Sequence, residues 1–181
     1  MPDLDIKIIV ALIAVVVSFV GLIITKEQKT SEFRQKWIDE IRFDIANLMG
    51  CLSQYTTKWI VLENTGLTDV RKAFLKDNIS IINEIYVLLY RIELRLNPIK
   101  DKSLIDVLKH IEEMIQSPKK MDHDSLFEDL TGQLKSQSHE MLKKEWTRVK
   151  DGEPIFRTTK YILGLVLLVS LYGISVKVLC P

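Results

Sequence analysis

Glycine and proline are scarce in this chain, seven and five among 181 residues, and cysteine is confined to Cys51 and Cys180. So few breakers exclude a collagen-like or Gly/Pro-rich low-complexity chain, and two cysteines exclude a disulfide scaffold. A long disordered chain is excluded as well, because 47% of the residues are hydrophobic. The net charge of +1 does not fit a strongly basic nucleic-acid protein, although it leaves room for local basic stripes. Charge is also missing from the two ends. Asp3, Asp5, Lys7 and Lys177 are the only charged residues outside 26–160, which leaves 23 Lys and Arg against 22 Asp and Glu inside that stretch. A simple soluble domain does not segregate its charge in this way.

What the ends hold instead is apolar. Residues 8–24 are 17 consecutive uncharged positions, with Ser18 the only polar one, and 13 of them are Ile, Leu, Val or Phe. As a helix they would extend roughly 26 Å, slightly short of a hydrocarbon core of about 30 Å. Residues 161–176 form a second uncharged run between Lys160 and Lys177, whose ammonium groups can snorkel to lipid headgroups. Both runs are expected to be transmembrane helices, at 6–25 and 159–179. A cleaved signal peptide is the rival for the first run, but its flank carries Asp3 and Asp5 against Lys7, and Gly21-Leu22-Ile23 is a poor cleavage site. Lys26, Lys29, Arg34, Lys36, Arg148, Lys150, Arg157 and Lys160 flank the inner ends, against Lys7 and Lys177 outside. That bias puts residues 26–158 in the cytoplasm and both termini outside a bacterial plasma membrane. Cys51 and Cys180 then lie on opposite sides and do not pair within a chain.

The middle region reads as helical. Gly50, Gly66, Gly132, Gly152, Pro98, Pro118, Pro154 and Asn97 punctuate it, and no alternating strand pattern outlasts four residues. The first helix is expected from about Ser31 to Glu63, either capped by Ser31 or continuing directly from the first span. Its stripe is Phe33, Trp37, Ile41, Ile45, Leu48, Leu52, Tyr55 and Trp59. The second is expected from Thr68 to Leu96, buried through Leu75, Ile79, Ile82, Tyr86, Leu89 and Ile92, and stopped by Asn97-Pro98. A third spans Ser103 to Gln116. A fourth runs from Asp124 or Ser125 to about Lys150, with Leu126, Leu130, Leu134, Met141 and Trp146 as its stripe. The expected fold is therefore all-α: two membrane helices with a cytoplasmic helical bundle between them.

Catalytic patterns are lacking. There is no P-loop, Rossmann glycine set, HExxH or nucleophile elbow. Asp39-Glu40 and Glu112-Glu113 are adjacent pairs that face different sides of a helix. Asp122-His123-Asp124 lacks a second ligand pair at helical spacing and reads as a solvated loop. The expectation is no enzyme, no metal and no cofactor.

Basic residues beside aromatics are the sites that remain. Arg34, Lys36 and Trp37 lie below the first span, Tyr90, Arg91 and Arg95 end the second helix, and Lys143, Lys144, Trp146, Arg148 and Lys150 precede the second span. Guanidinium groups next to aromatic faces suit phosphate pairing and base stacking, while core packing and anionic lipid compete for the same residues. Arg91 and Arg95, one turn apart and away from the membrane, are the first choice for an anion site. Ser170, Tyr172 and Gly173 are the candidates for lining a pore. Two spans cannot enclose one, so a channel requires a closed homo-oligomer.

The segments Ser31-Glu32-Phe33-Arg34-Gln35-Lys36-Trp37-Ile38, Arg95-Leu96-Asn97-Pro98, Lys144-Glu145-Trp146 and Arg148-Val149-Lys150 resemble small bacterial membrane proteins of anti-phage defence, with the Hailong-type membrane effectors the nearest named group. The resemblance covers the juxtamembrane segments and the layout. It implies an oligomeric channel held closed by a single-stranded oligodeoxyadenylate from a partner nucleotidyltransferase, opening to collapse the membrane potential. It carries over no binding residues, so the basic-aromatic choices rest on this chain alone. The alternative is a non-channel membrane anchor or scaffold for a cytosolic partner.

Overall fold

The computed structural model describes the backbone of residues 2–63, 70–116, 124–152, 156–165 and 168, with the side chains of 2–10, 12–13, 62–63, 70–73 and 124–125 outside the description. Among these residues every regular element is an α-helix: α1 Pro2–Glu63, α2 Val70–Asp77, α3 Ile79–Glu93, α4 Lys102–Gln116 and α5 Asp124–Asp151. Residues 156–165 are helical too. The all-α expectation is met. Among the described residues no helix is long and apolar enough to cross a membrane. Much of both apolar runs lies outside that set: the side chains of 8–10, 12 and 13, and residues 166–167 and 169–176.

The chain divides into two compact units. One is Met1–Lys36 with Trp146–Pro181, the other Trp37–Glu145. In the first, α1 passes through 25–31 without a break. Thr25 and Thr30 donate their hydroxyls to the carbonyls of Gly21 and Lys26, at 2.9 and 3.0 Å, which satisfies both side chains within the helix, and because the helix is continuous no cap is needed at Ser31. At the end of α5, Gly152 has φ +77° and donates its N–H to the Arg148 carbonyl at 3.1 Å, a left-handed C-terminal cap.

The second unit has one core. Along α1, Ile38, Ile41, Ile45, Leu48, Leu52, Tyr55 and Trp59 are buried at alternating spacings of three and four, the heptad-like seam of a helix packed along its length. The stripe begins at Ile38; Trp37 is only partly buried against the core and Phe33, in the other unit, is exposed. Facing residues come from α3 (Ile81, Ile85, Leu88, Leu89, Ile92), α4 (Leu104, Val107, Leu108, Ile111, Met114) and α5 (Leu130, Leu134, Met141). Phe74 of α2 meets Tyr55 and Trp59 edge-on at 5.0 and 5.1 Å, a favoured quadrupole arrangement. The Tyr55 hydroxyl, buried with them, donates to the Ile115 carbonyl at 3.3 Å.

Two details of the expected second helix are corrected. It is interrupted at Asn78, whose φ of −119° leaves the helical region and whose side-chain amide donates to the Phe74 carbonyl at 2.9 Å. Its buried face is also only partly the one expected: Leu89 and Ile92 are buried, but Ile79 is exposed and Ile82 and Tyr86 are only partly covered. Apolar residues occupy both sides of this helix, so periodicity alone did not identify the inner one. The stop falls as expected. Asn97 Oδ1 accepts from the N–H groups of Ile99 and Lys100 at 3.0 Å, and the Asn97 N–H donates to Asp101 at 2.8 Å, which turns the chain into α4.

Candidate functional site

Arg91 and Arg95 converge, as their one-turn spacing requires, but they converge on carboxylates of their own chain. Asp44 sits on α1 between Ile41, Ile45 and Leu48 and is fully buried. Arg95 Nη1 donates to Asp44 Oδ2 at 2.5 Å, and its Nη2 stands 3.1 Å from Glu40 Oε2. Arg91 Nη2 lies 3.0 Å from Asp44 Oδ1. That approach is a charge contact only, because no hydrogen bond reaches the buried Oδ1. Two guanidinium groups therefore meet two carboxylates, and the cluster is neutral. A carboxylate this deep is stable only when paired, so the four residues form an electrostatic clip between α1 and the end of α3 with the turn that follows it. An external anion at Arg91 or Arg95 has to compete with Asp44 and Glu40.

Tyr90 turns elsewhere. Its hydroxyl pairs with Glu112 Oε1 of α4 at 3.4 Å, and its ring lies 6.1 Å from that of Tyr86. The nearby Glu112 carboxylate holds the phenol above its ordinary pKa, with a smaller contribution from burial, since ionising it would set two negative charges side by side. Tyr90 thus does not join the two arginines at one point. Trp37 belongs to the edge of the core. Arg34 and Lys36 fall in the other unit, where Arg34 is half-buried, Lys36 is exposed and both are engaged by other groups. Ser170, Tyr172 and Gly173 lie outside the described residues. Of the third cluster, Lys144 pairs with Glu140 at 2.7 Å, which raises the lysine and lowers the glutamate.

Sequence reasoning missed Asp44 and Glu40. The signal was present: an acidic residue at a buried register position of α1 calls for a cation on whatever packs against it. It also missed an open cavity of about 280 Å³ between α4 and α5, lined by His110, Glu113, Met114, Leu126, Asp129, Leu130 and Gln133. No group of three His, Cys, Asp or Glu among the described residues is placed to hold a metal, and His123 lies outside them. Cys51 is half-buried; burial and, after it, the carboxylate of Glu84 push its thiol pKa up, which makes it a poor nucleophile. No family model, curated protein or solved structure matches the chain.

Proposed function

We propose that this chain is a bacterial anti-phage membrane effector, a homo-oligomeric pore whose opening is controlled by an anionic ligand and whose release collapses the membrane potential. The observation that carries the membrane part is the surface of α1 between residues 14 and 24. Val15, Val16 and Val17 are exposed in succession, and Phe19, Leu22 and Ile24 are exposed beside them. At about 100° per residue these side chains cover more than half of the helix circumference, and a helix apolar on so many sides belongs in lipid or in a protein interior. The remaining side carries Ala14, Ser18, Gly21 and Thr25, small residues that permit close approach of another helix. Its two hydroxyls are satisfied internally, Ser18 on the Ala14 carbonyl at 2.8 Å and Thr25 on Gly21, as hydrocarbon demands.

The second support is continuity of the element. One helix, α1, holds both this apolar stretch and the residues from Ile38 to Trp59 that build the core of the other unit. Control by an anion rests on Arg91 and Arg95, where a phosphodiester would exchange with Glu40 and Asp44 and release the clip. A single-stranded oligonucleotide from a nucleotidyltransferase, as the resemblance implies, has the required chemistry.

Expression in a bacterial host with a potential-sensitive dye tests the reading. Depolarisation that disappears when Gly21 is replaced by a bulky residue is expected. A chain that stays in the membrane fraction and captures a cytosolic protein, with no depolarisation in any variant, would replace the pore by the anchor or scaffold reading.

A further inference from the structure

One side of α1 is bare along most of its length. At alternating spacings of three and four, Val15, Ser18, Leu22 and Thr25 are exposed, then Lys29, Glu32, Lys36 and Asp39, and then Phe43, Ala46, Gly50, Ser53, Thr57 and Ile60. This seven-residue repeat runs unbroken on the side of the helix opposite the buried Ile41, Leu48 and Tyr55. Its C-terminal part is almost free of charge. Of the nine exposed residues between 43 and 61 only Lys58 is charged, whereas the exposed side of α5 bears Glu128, Asp129, Lys135 and Glu140. In a chain with 27% charged residues, an uncharged outer face five turns long marks a contact surface. A Cβ added at Gly50 meets nothing within 4 Å, so among the described residues nothing covers the seam there. Near its N-terminal end the same seam is grooved, with about 380 Å³ of open space lined by Ala14, Val15, Ser18, Phe19 and Leu22.

We infer that α1 packs along this seam against α1 of a second copy, parallel and in register. Three features select that occupant. The first is the period: a sustained seven-residue repeat is the signature of helix meeting helix along its length, and lipid imposes no such spacing. The second is the order of charge. In a parallel pair each seam residue enters a hole formed by four residues of the facing helix, among them the neighbouring seam positions. Glu32 then lies between Lys29 and Lys36 of the other copy, and Lys36 between Glu32 and Asp39, so each charged layer borders one of opposite sign. Within one chain Lys29 pairs with Glu32 at 2.8 Å and Arg42 with Asp39 at 3.2 Å; both pairs are exposed, and each can be shared with a neighbour. Charged seam positions weaken such a contact but fix its register. The third is direction. Parallel copies carry their apolar stretches at 14–24 into a bilayer the same way, whereas antiparallel copies would point them apart. From residue 15 to 60 the seam is about 68 Å long, and at a helix width of about 10 Å it covers about 700 Å² on each copy, close to the roughly 800 Å² per partner of a stable interface. Ala46, Gly50 and Ser53 permit close approach of the two backbones. This contact rests on the homo-oligomeric membrane reading above and gives that reading the surface that joins its subunits.

Disulfide trapping of the full chain in the membranes of expressing cells, with Cys51→Ala and Cys180→Ser as background, tests it. Ser18→Cys, Ala46→Cys and Ser53→Cys are each expected to link to their own copies on oxidation, because parallel helices in register bring every seam position to its twin. Gly50→Glu has open space in its own chain and raises helix propensity, so the helical circular dichroism of the purified variant is expected to be kept. The layer of like charge it creates is expected to lower linking at 46 and 53 roughly ten-fold, the factor that 1.4 kcal/mol of lost contact gives. Linking at one level only means an antiparallel pairing and overturns the inference. So does linking no higher than at the exposed Lys109→Cys of α4, or linking that Gly50→Glu leaves unchanged. Cysteines at 46 and 53 that neither link nor react with a maleimide are covered by another protein, which overturns it as well. Depolarisation without linking removes the seam and leaves the pore; linking without depolarisation does the reverse.

Discussion

Arg95→Ala removes the better bonded partner of the buried Asp44 and leaves the carboxylate with Arg91 alone. The lost bond is the 2.5 Å contact to Oδ2, and the remaining one, 3.0 Å from Oδ1, is not aligned as a hydrogen bond. A charge-assisted hydrogen bond contributes about 1.5–3 kcal/mol, and breaking one partner from a buried pair costs about 3–5 kcal/mol. Arg95 is itself a quarter exposed and Arg91 still offsets part of the charge, which places the expected loss at about 2–4 kcal/mol. Asp44→Asn with Arg95→Ala removes the demand along with the donor, so the double variant is expected to lose far less than the two single variants summed. Urea unfolding of the full chain in detergent, followed by far-ultraviolet circular dichroism, measures all three. A coupling of about 1.5 kcal/mol or more is expected from such a cycle. A loss below about 0.5 kcal/mol for Arg95→Ala, or additive single variants, would refute the clip.

Gly152→Ala forces a side chain onto φ +77° and sets its Cβ 3.0 Å from Glu27 Oε1 and 3.2 Å from the Phe156 ring; about 1–2 kcal/mol of thermal stability is expected to be lost. Trp59 buries its indole N–H without a partner among the described residues, so Trp59→Phe is expected to cost less than about 1.5 kcal/mol, against about 3–5 kcal/mol for Trp59→Ala. The raised Cys51 pKa lowers the thiolate fraction at any given pH. In a Cys180→Ser chain, its reaction with a disulfide reagent at pH 8 is expected to be slower than that of a model thiol and to rise steeply above pH 9. Glu84→Gln shifts that rise to lower pH; an unshifted profile would show that the carboxylate plays no part.

Helix content was legible because breakers are few and the apolar residues of α1 recur at three and four. Its core face from Ile41 to Trp59 was found from that rhythm alone. The start of the face was misjudged because Phe33 and Trp37 continue the same arithmetic, and Ile38 lies one position away. On α3 the expected Leu89 and Ile92 are buried, but Ile79, Ile82 and Tyr86 are not fully so: with apolar residues on two sides, only the positions of α1 and α4 decide which is inner. The arginines were found from their type and spacing. Their partners were not, because Glu40 and Asp44 lie some fifty residues away: the buried register position of Asp44 calls for a cation, but spacing along α1 does not say which helix supplies it. The break at Asn78 was equally hidden, since an amide folding back on the preceding turn has no distinctive pattern in sequence.

As proposed, this chain conducts ions under the control of an anionic ligand. Current across a planar lipid bilayer containing the purified full-length chain measures it directly. Discrete conductance steps are expected from the chain alone, suppressed by single-stranded oligodeoxyadenylate, with the suppression weakened in Arg91→Ala. Bilayers that stay silent with and without the oligonucleotide, while the protein is shown to be inserted, would contradict it.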